Sequence, residues 1–306
     1  MPVKTMSNAG ATKELVEVAY ESAKDELTEY VVYKKLSELK IAHKPELSKT
    51  LARLAEMEHR HYEFWKKFCP DRNITTSKVK LALMVFLRLF LGATFTVKLL
   101  ERGEADAIKR YNEIAQLVPP MDQEMLQQVI ADEKQHEQQL VEQFDEPQIK
   151  YISFIVLGLG DALVEISGIH AGSLGIYHST ELAGFAGIIA GAAASIAMAS
   201  AAYAQAKTGF KGSAGLSATY TGLSYFVTAV ILATPYFLTG IMLNALVTSV
   251  IAGIALIAFT SFYSSVIAGG VFRKDFTEVT SIMLGATIAL YFLGSVIGYL
   301  TGLRFG

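Results

Sequence analysis

"LARLAEMEHRHYEFW" (residues 51–65) carries two glutamate–histidine pairs at one spacing, Glu56/His59 and Glu58/His61. Residues three apart on a helix share a face, so the two pairs compete for the inward position. The apolar period selects one of them. Positions 47, 51, 54, 58, 61, 65 and 68 read Leu, Leu, Leu, Glu, His, Trp, Phe, an apolar stripe interrupted only by Glu58 and His61. The competing stripe through 52, 56, 59, 63 and 66 reads Ala, Glu, His, Glu, Lys, which is a solvent face. The stretch therefore predicts a helix that buries one carboxylate and one imidazole.

A second stretch, "VIADEKQHEQQL" (129–140), repeats the device: positions 126, 129, 133, 136, 140 and 144 give Leu, Val, Glu, His, Leu, Phe. Four helices are predicted around these motifs, at about 12–40, 45–68, 77–117 and 121–144, punctuated by Pro45, Cys69–Pro70 and Pro119–Pro120. The inner face of the first reads Leu15, Ala19, Ser22, Glu26, Tyr30, Tyr33, Leu36. That of the third reads Val97, Glu101, Glu104, Ile108, Tyr111, Ala115. Each half thus offers an inward Glu followed seven residues later by Tyr (Glu26/Tyr33 and Glu104/Tyr111), then a Glu-x-x-His on the next helix. This is an internal duplication at the level of motif.

Buried carboxylates must be paired or coordinate a metal. Oxygen and nitrogen ligands with no thiolate suit iron or manganese better than structural zinc. A Glu from each of two helices with Glu-x-x-His from each of two others is the di-iron carboxylate arrangement of helical bundles. The candidate ligands are Glu26, Glu58, His61, Glu101, Glu104, Glu133 and His136, with Glu101 and Glu104 competing for one place.

The charges are unevenly placed. Residues 1–150 hold 22 Lys/Arg and 24 Asp/Glu, residues 151–306 only 5 and 5. After Lys150 come five apolar segments, at about 152–176, 183–206, 217–238, 242–270 and 279–302, each near the roughly 20 residues that span hydrocarbon. They are rich in Gly, Ala and Ser, the residues that let membrane helices approach closely. Lys207 and Lys211 lie between spans 2 and 3, Arg273 and Lys274 between spans 4 and 5, and the other two loops carry no Lys or Arg. The positive-inside rule then predicts a cytoplasmic N-terminal half and an outward C-terminus. Asp161 and Glu165 stand four apart within span 1. An acid at mid-bilayer costs roughly 2.5–3.5 kcal/mol and usually faces a bundle interior or an ion path. Met198 in span 2 could add a thioether, and the three are candidates for a transport site.

The apolar run "LALMVFLRLFLGATFTVKLL" (81–100) is read as a buried bundle or dimerisation helix, with a re-entrant membrane helix as the lesser alternative, because Arg88 interrupts it and Glu101 and Glu104 follow. Its uncovered apolar residues predict a partner copy, a homodimer. The single Cys69 excludes an internal disulfide framework and CxxC metal sites. No apolar h-region opens the chain, so no cleaved signal peptide is predicted. Nothing basic–aromatic points to nucleic acid.

Two resemblances follow from these residues. The first half resembles the ferritin-like, rubrerythrin-type di-iron domains, through Glu26, Glu58/His61, Glu101/Glu104 and Glu133/His136. The second resembles the vacuolar iron transporter family, through "GLGDALVEISGIHAG", "AMASAAY", "ATPYFL" and "SIMLGATIALYFLGSVIGYLTG". Together they imply an all-α chain, a ferritin-like four-helix bundle (1–147) followed by a five-helix transmembrane bundle (148–306). They also imply a multi-pass protein of the cell membrane exporting Fe²⁺ or Mn²⁺, by proton antiport and as a dimer, with iron at the di-iron site. In that family Asp161 matches the span 1 acid and Met198 the span 2 methionine. The second half departs in span 2, where Ala190, Ala197, Ala201 and Ala202 stand in places at which the family often has acid, Ser, Gly or acid, and this makes Glu165 the candidate substitute for the second pore carboxylate. Its loop "KTGFKGSAGLS" is too short for the metal-binding helices that some members carry there. The rival expectation is a membrane-tethered di-iron oxidoreductase, a peroxide reductase or ferroxidase, although one cysteine cannot build the Cys₄ iron site through which rubrerythrins obtain electrons.

Overall fold

The computed structural model describes residues 8–39, 45–76, 78–143, 147–174, 176 and 179–302. Among these the secondary structure is all helical, and the chain divides into two compact units, Met1–Glu146 and Pro147–Gly306.

The first unit contains α1 (Asn8–Glu38), α2 (Pro45–Lys66), α3 (Lys78–Leu91), α4 (Ala93–Leu100), α5 (Glu104–Ile114) and α6 (Gln123–Gln143). The long third helix expected over 77–117 is instead three helices. Gly92 takes φ = +93°, a left-handed conformation that favours glycine, and ends α3. A 3₁₀ turn over Glu101–Gly103 separates α4 from α5. At 1.5 Å per residue, α3 is only about 21 Å long, too short to cross a membrane, and α4 is buried within its own unit from Ala93 to Val97.

Two apolar clusters explain how α1 and α2 pair. Leu15, Ala19 and Ala23 pack with Phe64, Trp65, Tyr111, Leu126 and Val129. Val32, Tyr33 and Leu36 pack with Leu51, Leu54, Ala55, Met84 and Val97. On α1 the gap between the clusters is occupied by Glu26, and on α2 by Glu58 and His61. The polar layer is therefore clamped between two apolar ones, which fixes the helix register around it.

The second unit begins with the short α7 (Pro147–Lys150) and continues with α8 (Ile152–Ser173), α9 (Thr180–Lys207), α10 (Ala214–Ala233), α11 (Pro235–Leu238), α12 (Met242–Ala268) and α13 (Phe272–Thr301). Five helices are long and apolar enough to cross a membrane, with α10 and α11 counted as one across Pro235. α8 packs against α9, α10, α12 and α13. Close approach depends on small residues: a Cβ on Gly158 of α8 would strike the Thr221 carbonyl oxygen of α10, and one on Gly294 of α13 would strike the Gly172 carbonyl of α8. The Thr221 hydroxyl also donates to the Phe154 carbonyl at 3.0 Å, tying α10 to α8. Gly158→Val is expected to pry α8 from α10 and cost about 1–3 kcal/mol, the usual range for overpacking. A fall in the thermal midpoint of the detergent-solubilised protein, absent in Gly160→Val, where a Cβ meets nothing within 4 Å, is the check.

Candidate metal centre

Glu26 of α1, Glu58 and His61 of α2 and Glu133 of α6 are all buried, and they offer ligand atoms within 4.8 Å of one another. His61 is the hub. Its Nδ1 lies 3.0 Å from Glu133 Oε1, 3.3 Å from Glu58 Oε2 and 3.7 Å from Glu26 Oε2. Its Nε2 faces the other way, 3.3 Å from Asp132 Oδ2. Asp132 in turn accepts from Gln128 Nε2 at 2.7 Å. A carboxylate on the second nitrogen is what fixes the ring and tautomer of a metal-binding histidine. Tyr111 of α5 donates its hydroxyl to Glu26 Oε1 at 2.8 Å.

Glu104 is buried and lines, with Glu26, Glu29 and Glu133, a cavity of about 190 Å³. Asp25 and Asp106 add further acids to its wall, and among the described residues Lys80 and Arg110 bring cations to it. Across His61 and Asp132 lies a second cavity, of about 520 Å³, lined also by Arg53, Arg60, Met57 and Met125. The side chains of Glu101 and His136 lie outside the described residues. Glu56 is exposed, and the partly exposed His59 meets the Tyr30 ring edge-on, with ring centroids 4.8 Å apart.

The electrostatics show an excess of negative charge. Burial, then the nearby carboxylates of Glu133 and Glu58, push Glu26 well above the usual carboxylate range, with His61 acting the other way. Burial and then Glu58, Glu26 and Glu104 do the same to Glu29. Burial disfavours a charged His61, but hydrogen bonds to Glu133, Glu26 and Glu58 outweigh it and raise its pKa. Burial, with Glu26 and Glu133 beside it, holds Tyr111 neutral as a donor. A cluster that gathers protons in this way is short of positive charge, and its four side chains could hold a metal ion that would supply it. Carboxylate and imidazole donors with no thiolate fit iron.

Two residues of this centre escape a reading by period. Glu29 falls one position before Tyr30, just outside the stripe that runs from Glu26 through Tyr30 and Tyr33. Asp132 precedes Glu133 and belongs to a solvent stripe of α6 until the fold sets His61 against it.

In the second unit Asp161 and Glu165 are exposed on the surface of the single chain rather than enclosed by its helices. Ser153 and Leu157 complete an open stripe of α8, whose other sides are taken by α10, α13 and α9. Glu165 accepts a hydrogen bond of 2.5 Å from Tyr225 of α10, a residue not anticipated from sequence. Met198 packs beside the cluster of Ala162, Leu163, Ile166 and Tyr225. His170 is buried with its ring centroid 4.2 Å from that of Tyr236.

Residues 14–138 match the family model described as Rubrerythrin. The match spans the whole candidate centre and ends before the apolar helices. No curated protein and no solved structure matches the chain.

Proposed function

We propose that the chain exports Fe²⁺ or Mn²⁺ from the cytoplasm across the cell membrane, its N-terminal unit capturing the metal at a di-iron carboxylate centre. The observation that carries the reading is the buried Glu26/Glu58/His61/Glu133 cluster in a chain whose other unit holds five helices of spanning length. Glu104, Glu101 and His136 complete the ligand set of the resemblance, and Glu29 extends it. Iron bound there would supply a redox-active Lewis acid. The chain's own residues orient it: Asp132 holds the His61 ring, Tyr111 holds Glu26, and the acid-lined cavity attracts the cation.

Asp161, Glu165 and Met198 form the transport site in this reading. The two acids face outward on α8, and an acid facing lipid is costly, which favours a homodimer whose second copy covers them. Charge balance favours protons returning as the metal leaves, with these carboxylates carrying them. The similarity of spans 1, 2, 3 and 5 to the vacuolar iron transporter family supports the same assignment.

The test is Fe²⁺ uptake into liposomes with the N-terminal unit outward and a chelating dye trapped inside. Wild type is expected to fill the vesicles, and Asp161→Ala to reduce the rate by about 10- to 100-fold, the scale of losing about 1.5–3 kcal/mol of contact between a charged group and the cargo. Unchanged transport in Asp161→Ala would remove the pore assignment. No uptake by wild type, with metal binding intact and peroxide turnover on an added electron donor, would establish the membrane-tethered oxidoreductase instead.

A further inference from the structure

His170 is the single histidine in the five spanning helices, and no step of the function above uses it. Its ring is fully buried, and neither nitrogen has a hydrogen-bond partner among the described residues. The Tyr236 ring lies against it, and the buried Tyr236 hydroxyl is likewise without a partner there. Three residues earlier on the same side of α8, the buried Ser167 hydroxyl makes a third such group. Burying polar groups without hydrogen bonds is costly, and the hydrocarbon interior offers no water to offset it. A leucine and a phenylalanine would fill the same space without that cost.

The surroundings are shaped to admit the two rings. A Cβ on Gly187 of α9 would strike His170 Nε2, and one on Gly184 would crowd Tyr236 and Phe237. Tyr236 packs with Ala183 of α9 and with Ala245 and Met242 of α12, while α13 brings Leu290 against Gly168 and Gly172 of α8. None of these is titratable. Within α8 and α10 the titratable groups are Asp161, Glu165 and Tyr225. The first two lie on the open stripe, and Tyr225 donates to Glu165.

We propose that His170 is a proton relay of the membrane unit, with the Tyr236 and Ser167 hydroxyls as its partners. Imidazole is the side chain that exchanges protons near neutral pH. It passes them on without storing charge, because one ring nitrogen accepts a proton as the other releases one. Hydroxyls both donate and accept, so Tyr236 and Ser167 can carry the next transfer. Ionisable side chains inside a spanning bundle mark functional sites, proton relays among them. The proposal rests on the export reading and adds to it the point at which returning protons enter. His170 stands three residues before the end of α8, the end that the positive-inside rule predicts to face outward. Glu165 is five residues deeper, about 7.5 Å along the axis and about 140° around it. Protons thus enter through the interior of the bundle, while the metal meets the carboxylates on the open stripe. Each proton taken up at His170 ends on Asp161 or Glu165 as the metal leaves, which keeps the charge balanced.

The test is Fe²⁺ uptake by the full chain in liposomes, N-terminal unit outward, with equal pH on both sides or the interior one unit more acidic. A second dye follows the protons that leave. In wild type the acidic interior is expected to speed uptake, by up to about tenfold for each proton exchanged. His170→Gln keeps a polar side chain of similar length, and its uptake is expected to show no response to the gradient and to release fewer protons per metal. Tyr236→Phe keeps the stacked ring, loses only the hydroxyl, and is expected to change in the same sense; it carries the test if His170→Gln does not fold. A wild-type response to the gradient in His170→Gln would overturn the relay. Slower uptake with an intact response would also overturn it, as the mark of a residue that only packs. An intact response in Tyr236→Phe alone would remove Tyr236 from the relay. Wild-type uptake indifferent to the gradient would overturn the relay and leave export standing, whereas no wild-type uptake would remove both.

Discussion

Glu58→Ala/His61→Ala is expected to abolish metal binding at the N-terminal centre, weakening it by on the order of 100-fold or more; removing even the outer partners of a metal site typically costs 10–100-fold. The variant deletes two of the four buried donors, including the hub whose Nδ1 is within 3.7 Å of the three carboxylates. It leaves Glu26 and Glu133 without their shared hydrogen-bond donor, so the remaining carboxylates must hold protons, and protonated carboxyls are poor ligands. Glu56→Ala/His59→Ala, three residues apart in the same helix, removes the same chemistry from the solvent face and is expected to bind as wild type. Titration of the detergent-solubilised chain with Mn²⁺, or with Fe²⁺ under anaerobic conditions, distinguishes the two. Equal losses in both variants would dissolve the assignment. In the liposome assay, loss of uptake in the first variant alone would make the centre an obligatory supplier of cargo; retained uptake would make it a sensor or ferroxidase beside an independent pore.

The two halves of the chain were legible to different degrees, for physical reasons. In α2 the apolar stripe is regular enough that Glu58 and His61 stand out as its only interruptions, and both are buried. At the edge of a stripe, period does not separate neighbours: Tyr30, on the inner stripe, meets His59 edge-on while packing against the second apolar cluster, and Glu29 beside it lines the cavity. The Glu–Tyr pairing within each half is also rearranged by the fold. Tyr111 reaches across to Glu26 of the other half, and Tyr33 sits in an apolar cluster. Gly92 lies inside the helix expected over 77–117, but its positive φ divides that helix and ends α3. In the spans, a spacing of four places Asp161 and Glu165 on one face without saying what that face meets. That depends on which sides of α8 the other helices occupy, a tertiary fact with no local signature.

The metal-free N-terminal unit is expected to lose stability as pH rises from about 5 to 9, and bound metal to reverse that trend. Glu26, buried beside Glu133 and Glu58, holds its proton well above the usual carboxylate range, and His61, hydrogen-bonded to Glu133, Glu26 and Glu58, keeps its proton above the usual imidazole range. In the unfolded chain both groups return to ordinary values, near 4.3 and 6.5. Above each of those values the folded state binds more protons than the unfolded one, so the slope of unfolding free energy against pH is negative. Stability is full below the ordinary values and declines as pH climbs through the raised ones, by about 1.4 kcal/mol per pH unit for each proton retained. A divalent cation replaces these protons, so it binds more tightly and stabilises more as pH increases. Trp65 makes the measurement local. It is the chain's single tryptophan, buried with its ring centroid 4.6 Å from that of Tyr111, so its fluorescence reports unfolding around the centre and not in the spans. With chelator present, the Trp65 midpoint should fall from pH 5 to pH 9; with Mn²⁺ or anaerobic Fe²⁺ it should hold or rise, and Glu58→Ala/His61→Ala should show no metal effect. A metal-free midpoint that rises with pH would mean that the cluster is satisfied without added positive charge, and the case for a cation between Glu26, Glu58, His61 and Glu133 would fail.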